Sequence, residues 1–183
     1  FRSGPYENYQ TPEQQVPDKP LDHPWESCIT MGSSWSYVPG DQYKPANTPI
    51  HLLIRIVSRG GNFLLNIGPS PKGDWSDTAY ARLKEIGSWM KVNGSAIYDS
   101  KPIAPYAKDN LVFTQSEDGK ATYVFILSDD KDAAGTLKVP AAIVLPPELR
   151  SGNAKITVLG RPDWKTRLDK NTGALSILQK DRA

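Results

Sequence analysis

The sequence predicts an α/β unit followed by an all-β unit, and three observations predict it. Residues 63–67, Phe-Leu-Leu-Asn-Ile, form a nearly continuous apolar run bounded by Gly60-Gly61 and by Gly68-Pro69. A short run without polar alternation reads as a strand covered on both faces, and such strands belong to parallel sheets. Helical periodicity stands on either side of the run, as a parallel crossover requires. Beyond Pro102 and Pro105 that periodicity disappears, and only short strand candidates remain.

Residues 1–24 are rich in proline and poor in aliphatics, so they read as a long loop. Loops of this length in a compact domain are usually functional or disordered, and Tyr6, Glu7, Tyr9 and Glu13 argue for functional. Residues 25–31 read as a strand. Trp25, Ser27 and Ile29 would face one side, and Glu26, Cys28 and Thr30 the other. Gly32-Ser33-Ser34 breaks it, and Trp35-Ser36-Tyr37 opens a polar loop to Ala46.

The next helix is expected to be capped by Asn47 or Thr48, with Pro49 in its first turn. Ile50, Leu53, Ile54 and Val57 fall on one stripe. Arg55 and Arg59 lie on the far side, and Gly60 stops the helix. After the apolar strand, residues 70–75 loop over its C-terminal end, where parallel α/β folds bind ligands. A second helix starts at Ser76 or Asp77. Ala79, Leu83, Ile86 and Met90 form its apolar face, and Asn93-Gly94 is expected to cap it.

The composition change places a boundary between residues 1–101 and 102–183. Strand candidates in the second part are 111–116, 120–127, 136–139, 154–159, 164–169 and 174–178, with hairpin turns at 117–119 and 170–173. Residues 123–127 alternate apolar types on both faces and are expected to form a central strand. Short strands at this spacing suggest an antiparallel β-sandwich.

A closed (β/α)8 barrel takes roughly 250 residues. Residues 1–98 hold only two or three β/α units. The first part is therefore expected to be the last units of a TIM-type barrel, whose remaining N-terminal portion lies elsewhere. The chain begins at Phe1, so a preceding segment lost by processing or truncation is expected.

Composition excludes several classes. Net charge is +2 with interspersed signs, so no basic stripe points to nucleic acid. The longest apolar runs are too short to span a bilayer as helices. Five Trp and eight Tyr argue for a folded chain despite 16 prolines. The single cysteine, Cys28, rules out an intramolecular disulfide. His23 and His51 share no ligand spacing, so no metal or cofactor is expected. The compartment stays open between periplasmic, secreted and lysosome-like.

Five segments, in order, carry a resemblance: Thr11-Pro12-Glu13, Trp25-Glu26-Ser27-Cys28-Ile29-Thr30, Ser34-Trp35-Ser36-Tyr37, the stretch from Gly60 to Pro69, and Ile86-Gly87-Ser88-Trp89 with Asn93-Gly94-Ser95-Ala96-Ile97-Tyr98. Together they resemble the C-terminal part of the catalytic domain of the α-L-fucosidases, glycoside hydrolase family 29. Residues 105–183 match that family in character only, since it carries a β-sandwich after its barrel. The resemblance implies retaining hydrolysis of terminal α-L-fucose from a fucosylated oligosaccharide or glycoconjugate. Retention uses two carboxyl groups on opposite sides of the sugar. The family's Asp nucleophile lies upstream of everything here, so the chain alone is expected to be inactive. Glu13 matches the acid/base position. Trp35 matches an aromatic that packs on fucose, with Ser36 standing where relatives usually have Gly. Arg2 sits at the spacing of a sugar-binding Arg.

Other residues keep plainer readings beside the sharp ones. Glu26 either contacts substrate or pairs with Arg55. Trp25 and Trp89 read as core. Asn62 and Asn66 read as bonding loop backbone, and Cys28 as a small buried apolar group. His23 either reaches a ligand or does not, and Trp164 is either a sugar platform or a packed strand aromatic. The alternatives to an enzyme are a carbohydrate-binding β-sandwich module and an inactive structural remnant.

Overall fold

In the computed structural model the described residues are 8–128, 142–150 and 154–178. Strand β1 (Glu26–Thr30) and strand β2 (Asn62–Asn66) pair in parallel, with Glu26 opposite Asn62 and Thr30 opposite Asn66. Helix α1 (Asn47–Val57) is the crossover between them. Gly60, at φ 78°, ends the turn that follows. Gly61 lies against the Trp25 ring, where an added Cβ would stand 2.4 Å from it. Only a glycine lets the chain enter β2 this close to the indole.

The cap of helix α1 lies one residue before the first expected position. Ala46 is its N-cap, already in helical backbone and with no side-chain hydrogen bond, so neither Asn47 nor Thr48 performs that role. The apolar stripe is as expected, but there is a second one. Leu52 and Ile56 lie about 130° round the helix from the first stripe, at 100° per residue. Ile56, with Leu52 beside it, packs on Trp25, Ile29 and Phe63. Ile54, with Ile50, Leu53 and Val57, packs on Val112, Phe125 and Leu127 of the C-terminal part. Arg59 is not on a free far side. Its guanidinium donates to the carbonyls of Arg55 and Asp18 and to Ser58 Oγ.

Helix α2 (Asp77–Asn93) is capped by Ser76, whose hydroxyl accepts from the Ala79 amide at 3.3 Å, in line with expectation. Its other end differs. Gly94 has helical backbone, and the chain continues into a 3₁₀ turn (Gly94–Ala96) rather than stopping in a left-handed cap. Trp89 and Met90 pack on the same cluster as Ile54, and Trp89 faces Phe125 at 6.5 Å between ring centres.

The remaining strands are antiparallel. β3 (Ser100–Lys108), β4 (Leu111–Ser116) and β5 (Thr122–Ile126) form one sheet in that order. β6 (Ala142–Val144), β7 (Lys165–Leu168) and β8 (Ala174–Leu178) form another, ordered β6-β8-β7. Leu111 and Phe113 of the first sheet share a cluster with Ile143, Leu145 and Leu175 of the second. Val112 points the other way, to the helices. The β4 strand is thus buried on both sides, which corrects the expectation that residues 123–127 are central: β5 lies at the edge.

Sequence reading missed β3 because Pro102 and Pro105 sit in it. The pairing register shifts between Pro102 and Ala107, so an irregularity absorbs the prolines. It also missed the short β6. Residues 154–159 are not a strand, although Ile156 still joins the shared cluster. Candidate strand 136–139 lies outside the described residues. Both hairpin turns occur, with Gly119 at φ 73° and Gly173 at φ 74°.

One expectation about the organising strand fails. β2 is not covered on both faces: Leu64 is 41% exposed. Its alternate residues Phe63 and Leu65 turn toward the α1 side, and the opposite face is open at Leu64. Burial therefore separates two predictions. Ile56→Ala, at a fully buried site, should lower the unfolding free energy by roughly 2–4 kcal/mol. Leu64→Ala, on the open face, should cost well under half as much. Equal losses for the two in urea unfolding of this chain would contradict the open face of β2.

Candidate active site

Among the described residues of the loop expected over 1–24, residues 10–14 are more regular than a loop. Residues 10–14 run parallel to β1, on the edge that β2 leaves free. The Gln10 amide donates to the Pro24 carbonyl at 3.1 Å, and the Glu26 amide to the Gln10 carbonyl at 2.9 Å. The Cys28 amide then donates to the Pro12 carbonyl at 3.1 Å, and the Gln14 amide to the Cys28 carbonyl at 2.9 Å. Gln10 pairs with Trp25 and Glu13 with Cys28. Pro12 has no amide to donate, which interrupts the ladder and keeps this from being a full strand. Its ring is fully buried, so the turn before Glu13 is anchored by packing.

Paired residues of parallel strands point the same way. Glu13, Cys28 and Leu64 therefore share a face with Glu26, Asn62, Thr30 and Asn66. Trp25, Ile29 and Phe63 take the other face, against α1. The open face thus carries two carboxylates and a thiol. Their proximity has an electrostatic signature: partial burial pushes the Cys28 thiol up from its ordinary value, and the charges of Glu26 and Glu13 push it further. Cys28 is accordingly not a buried apolar filler but a half-exposed group on this face.

The loop after β1 is built by polar contacts. The Asp41 carboxylate accepts from the Ser33 hydroxyl at 2.7 Å and from the Ser33 amide at 3.0 Å. The hydroxyl bond, and after it the amide bond, hold this carboxyl below the usual carboxylate range. Lys44 Nζ donates to the carbonyl of Thr30 at 2.6 Å, which staples the loop's far end to the end of β1. Gly68, just beyond β2, lies under the loop: an added Cβ would stand 2.4 Å from the Tyr37 amide nitrogen and 2.5 Å from the Ser36 carbonyl carbon. The chain after β2 thus supports the loop after β1. Sequence reading gave no role to Asp41, Lys44 or Gly68. The Gly68-Pro69 pair was visible only as a strand end.

These supports bring Trp35 to Glu13. The indole N–H of Trp35 donates to Glu13 Oε1 at 2.8 Å. Both groups face solvent, and Trp35 is 38% exposed, so its ring has room for a flat partner. The other candidates are not gathered there. Glu26 is on the same face, but two residues, about 7 Å, nearer the N-terminal end than Cys28. It forms no ion pair with Arg55 among the described residues, because α1 carries Arg55 on the other side of the sheet. Arg2 and Glu7 lie outside the described residues. His23 sits before the start of β1, its Nδ1 at 2.6 Å from Asp22 Oδ1. Trp164 has Arg161 stacked over its ring at 4.4 Å, which occupies one face of the would-be platform.

The Asn66 backbone carbonyl accepts from the Met31 amide at 2.9 Å, just past the end of β1. Its side-chain Oδ1 is shielded from solvent and has no protein partner among the described residues. No group of three or more His, Cys, Asp and Glu side chains that could hold a metal occurs among the described residues. No described helix is long and apolar enough to cross a membrane. A cavity of about 410 Å³ opens between the 3₁₀ turn and the β4–β5 hairpin, lined by Tyr98, Asp99, Glu117 and Tyr123 among others, and neither Glu13 nor Trp35 reaches it.

The shared face can be tested through its thiol. Cys28 should titrate above an ordinary thiol, followed by thiolate absorbance in the ultraviolet. Glu26→Gln and Glu13→Gln should each lower that midpoint, since each removes a negative charge that disfavours the thiolate. An unchanged midpoint in both variants would separate the carboxylates from Cys28.

Comparison with known proteins identifies the fold and lineage. The family model described as alpha-L-fucosidase matches residues 1–95. A tissue alpha-L-fucosidase of Bos taurus is 32% identical over 174 residues, 92% of this chain and 35% of that protein. An alpha-L-fucosidase of Dictyostelium discoideum is 34% identical over 142 residues, 70% of this chain and 30% of that protein. Among solved structures, alpha-L-fucosidase isoenzyme 1 from Paenibacillus thiaminolyticus superposes with a TM-score of 0.74 at 25% identity, covering 96% of this chain and 42% of that one. The chain spans about a third of the length of the curated relatives it matches. By the extent of the family match and the identity to these relatives, the chain belongs to the α-L-fucosidase family, glycoside hydrolase family 29.

Proposed function

We propose that this chain supplies the acid/base side of a retaining exo-glycosidase that removes terminal α-L-fucose from fucosylated glycans. The observation that carries the reading is the meeting of Glu13 and Trp35. A carboxyl on a segment anchored to one parallel strand reaches an aromatic ring on the loop after that strand, on the uncovered face of the pair.

In this reading β1, β2 and the helices that follow them are the last units of a (β/α)8 barrel. The open face of β1 and β2 is then the barrel interior, and residues outside this sequence cover Leu64 and carry the Asp nucleophile. Residues 1–101 belong to the barrel, and residues 102–183 form an ancillary β-sandwich packed on α1 and α2. Trp35 offers its face to the apolar side of fucose and its methyl group. Glu26 lines the floor of the same cavity. Arg2 is a further candidate for the sugar hydroxyls.

The chemistry follows from two carboxyl groups. The nucleophilic carboxylate attacks the anomeric carbon as the glycosidic bond breaks, and protonated Glu13 gives its proton to the departing oxygen. In the second half, ionised Glu13 takes a proton from water while that water attacks the same carbon and releases the nucleophile. One group serves as acid and then as base, so it must lie within reach of both oxygens.

Two outcomes are expected. In the complete protein, Glu13→Gln should abolish most turnover of substrates with poor leaving groups. Azide should restore part of the activity on an activated aryl fucoside, because it needs no base to attack. Wild-type turnover of both substrate types in Glu13→Gln would end the assignment. The purified 183-residue chain should not hydrolyse fucosides, and measurable turnover by it would contradict the division of the two carboxyl groups.

A further inference from the structure

We infer that Trp35 is a positioning residue for Glu13: its indole N–H fixes which carboxyl oxygen carries the catalytic proton, in addition to any contact its ring face makes with sugar. This deepens the proposed reading and rests on it.

The argument starts from the donor inventory. An indole N–H can only donate. An oxygen that accepts from it at 2.8 Å, as Glu13 Oε1 does, cannot direct a proton of its own along the same line. The carbonyl oxygen of a carboxylic acid is a better acceptor than its hydroxyl oxygen, so when Glu13 is protonated this contact favours Oε1 as the carbonyl oxygen and Oε2 as the hydroxyl. When Glu13 is ionised, the same contact is a charge-assisted hydrogen bond. The bond survives both states, so the carboxyl need not rotate between the acid and base halves of the reaction. A phenylalanine ring at this position would offer a sugar the same kind of face but would leave either oxygen free to carry the proton.

The surrounding contacts suit this role. The indole edge, not only its face, has to be held. Asp41 on Ser33, Lys44 on the Thr30 carbonyl and the close approach of Gly68 to Ser36 and Tyr37 fix the loop on both sides of Trp35. On the other partner, buried Pro12 and the backbone bonds of residues 10–14 to β1 fix the main chain of Glu13. Two anchored segments meet through a single hydrogen bond between side chains that are themselves exposed.

The experiment compares Trp35→Phe, Glu13→Gln and the double variant in the complete protein, on two substrates. One is a fucosyl oligosaccharide, whose alcohol leaving group needs a proton. The other is an activated aryl fucoside, which does not. Reading kcat/KM isolates the first bond-breaking step. Trp35→Phe should lose about tenfold more on the oligosaccharide than on the aryl fucoside, the scale of one hydrogen bond at the acid, whatever loss the changed ring face imposes on both. In the Glu13→Gln background the same substitution should not change the ratio of the two substrates.

A second measurement does not depend on catalysis. In the complete protein, the Trp35 indole N–H resonance, assigned by its loss in Trp35→Phe, should move upfield in Glu13→Ala. If Trp35→Phe slows both substrates equally or neither, or if that resonance does not move, the inference is overturned while Glu13 keeps its role. If Glu13→Gln retains wild-type activity on both substrates, the proposed reading falls and takes this inference with it.

Discussion

Helix α1 is buried on two sides, and both halves of the chain depend on that. Ile56 closes the space over Trp25 and Ile29, so the parallel pair has one dry face. Ile54 closes the space over Val112 and Leu127, so the first antiparallel sheet has a second dry face. A buried isoleucine side chain contributes roughly 1.5–3 kcal/mol, and these two spend it in different directions. A helix with one apolar stripe could have stabilised only one of the two sheets. The relation between the parallel strands and the C-terminal sheets is therefore set by where two stripes fall on eleven residues.

The same economy governs the candidate site. Every group that matters there is placed from β1 outward. One edge of β1 pairs with β2, and the other binds residues 10–14 through their backbone. The first pairing brings Gly68 under the Trp35 loop; the second brings Glu13 alongside Cys28. Neither side chain is held by burial, since both Glu13 and Trp35 face solvent. Their main chains are fixed instead. That division suits the acid/base role proposed for Glu13: full burial would penalise its charged form, and a free loop would cost orientation at every turnover.

What the sequence revealed follows from what local pattern can encode. The short apolar run, the first stripe of α1, the Ser76 cap and the Gly119 and Gly173 turns each depend on neighbours within a few residues, and each was legible. The second stripe of α1 was present in the letters, as Leu52 and Ile56, but reads as noise until one knows that two layers compete for the helix. Pro102 and Pro105 read as a boundary because proline usually ends a strand; the register shift that admits them into β3 is decided by β4, not by the prolines. At the site, Glu13 and Trp35 were named separately. That an indole edge meets a carboxylate across 22 positions of sequence was not legible, nor was the support from Asp41 and Lys44, because those contacts are fixed by loop closure rather than by spacing.

The uncovered face of β1 and β2 is the most informative departure from a finished core. It carries Leu64 beside Glu13, Glu26 and Cys28, an apolar side chain among groups that resist burial. Were that face meant for bulk water, Leu64 would be an unneeded exposure and the two carboxylates would feel each other only weakly through solvent. Were it meant for a dry core, two carboxylates would be prohibitive without cationic partners, and no described Lys or Arg is paired with either. An enclosed but wet interior meets both objections. In such an interior Leu64 would have apolar neighbours, while the carboxylates would keep water or a polar ligand. The composition of this one open face is therefore what the barrel interior proposed above would require.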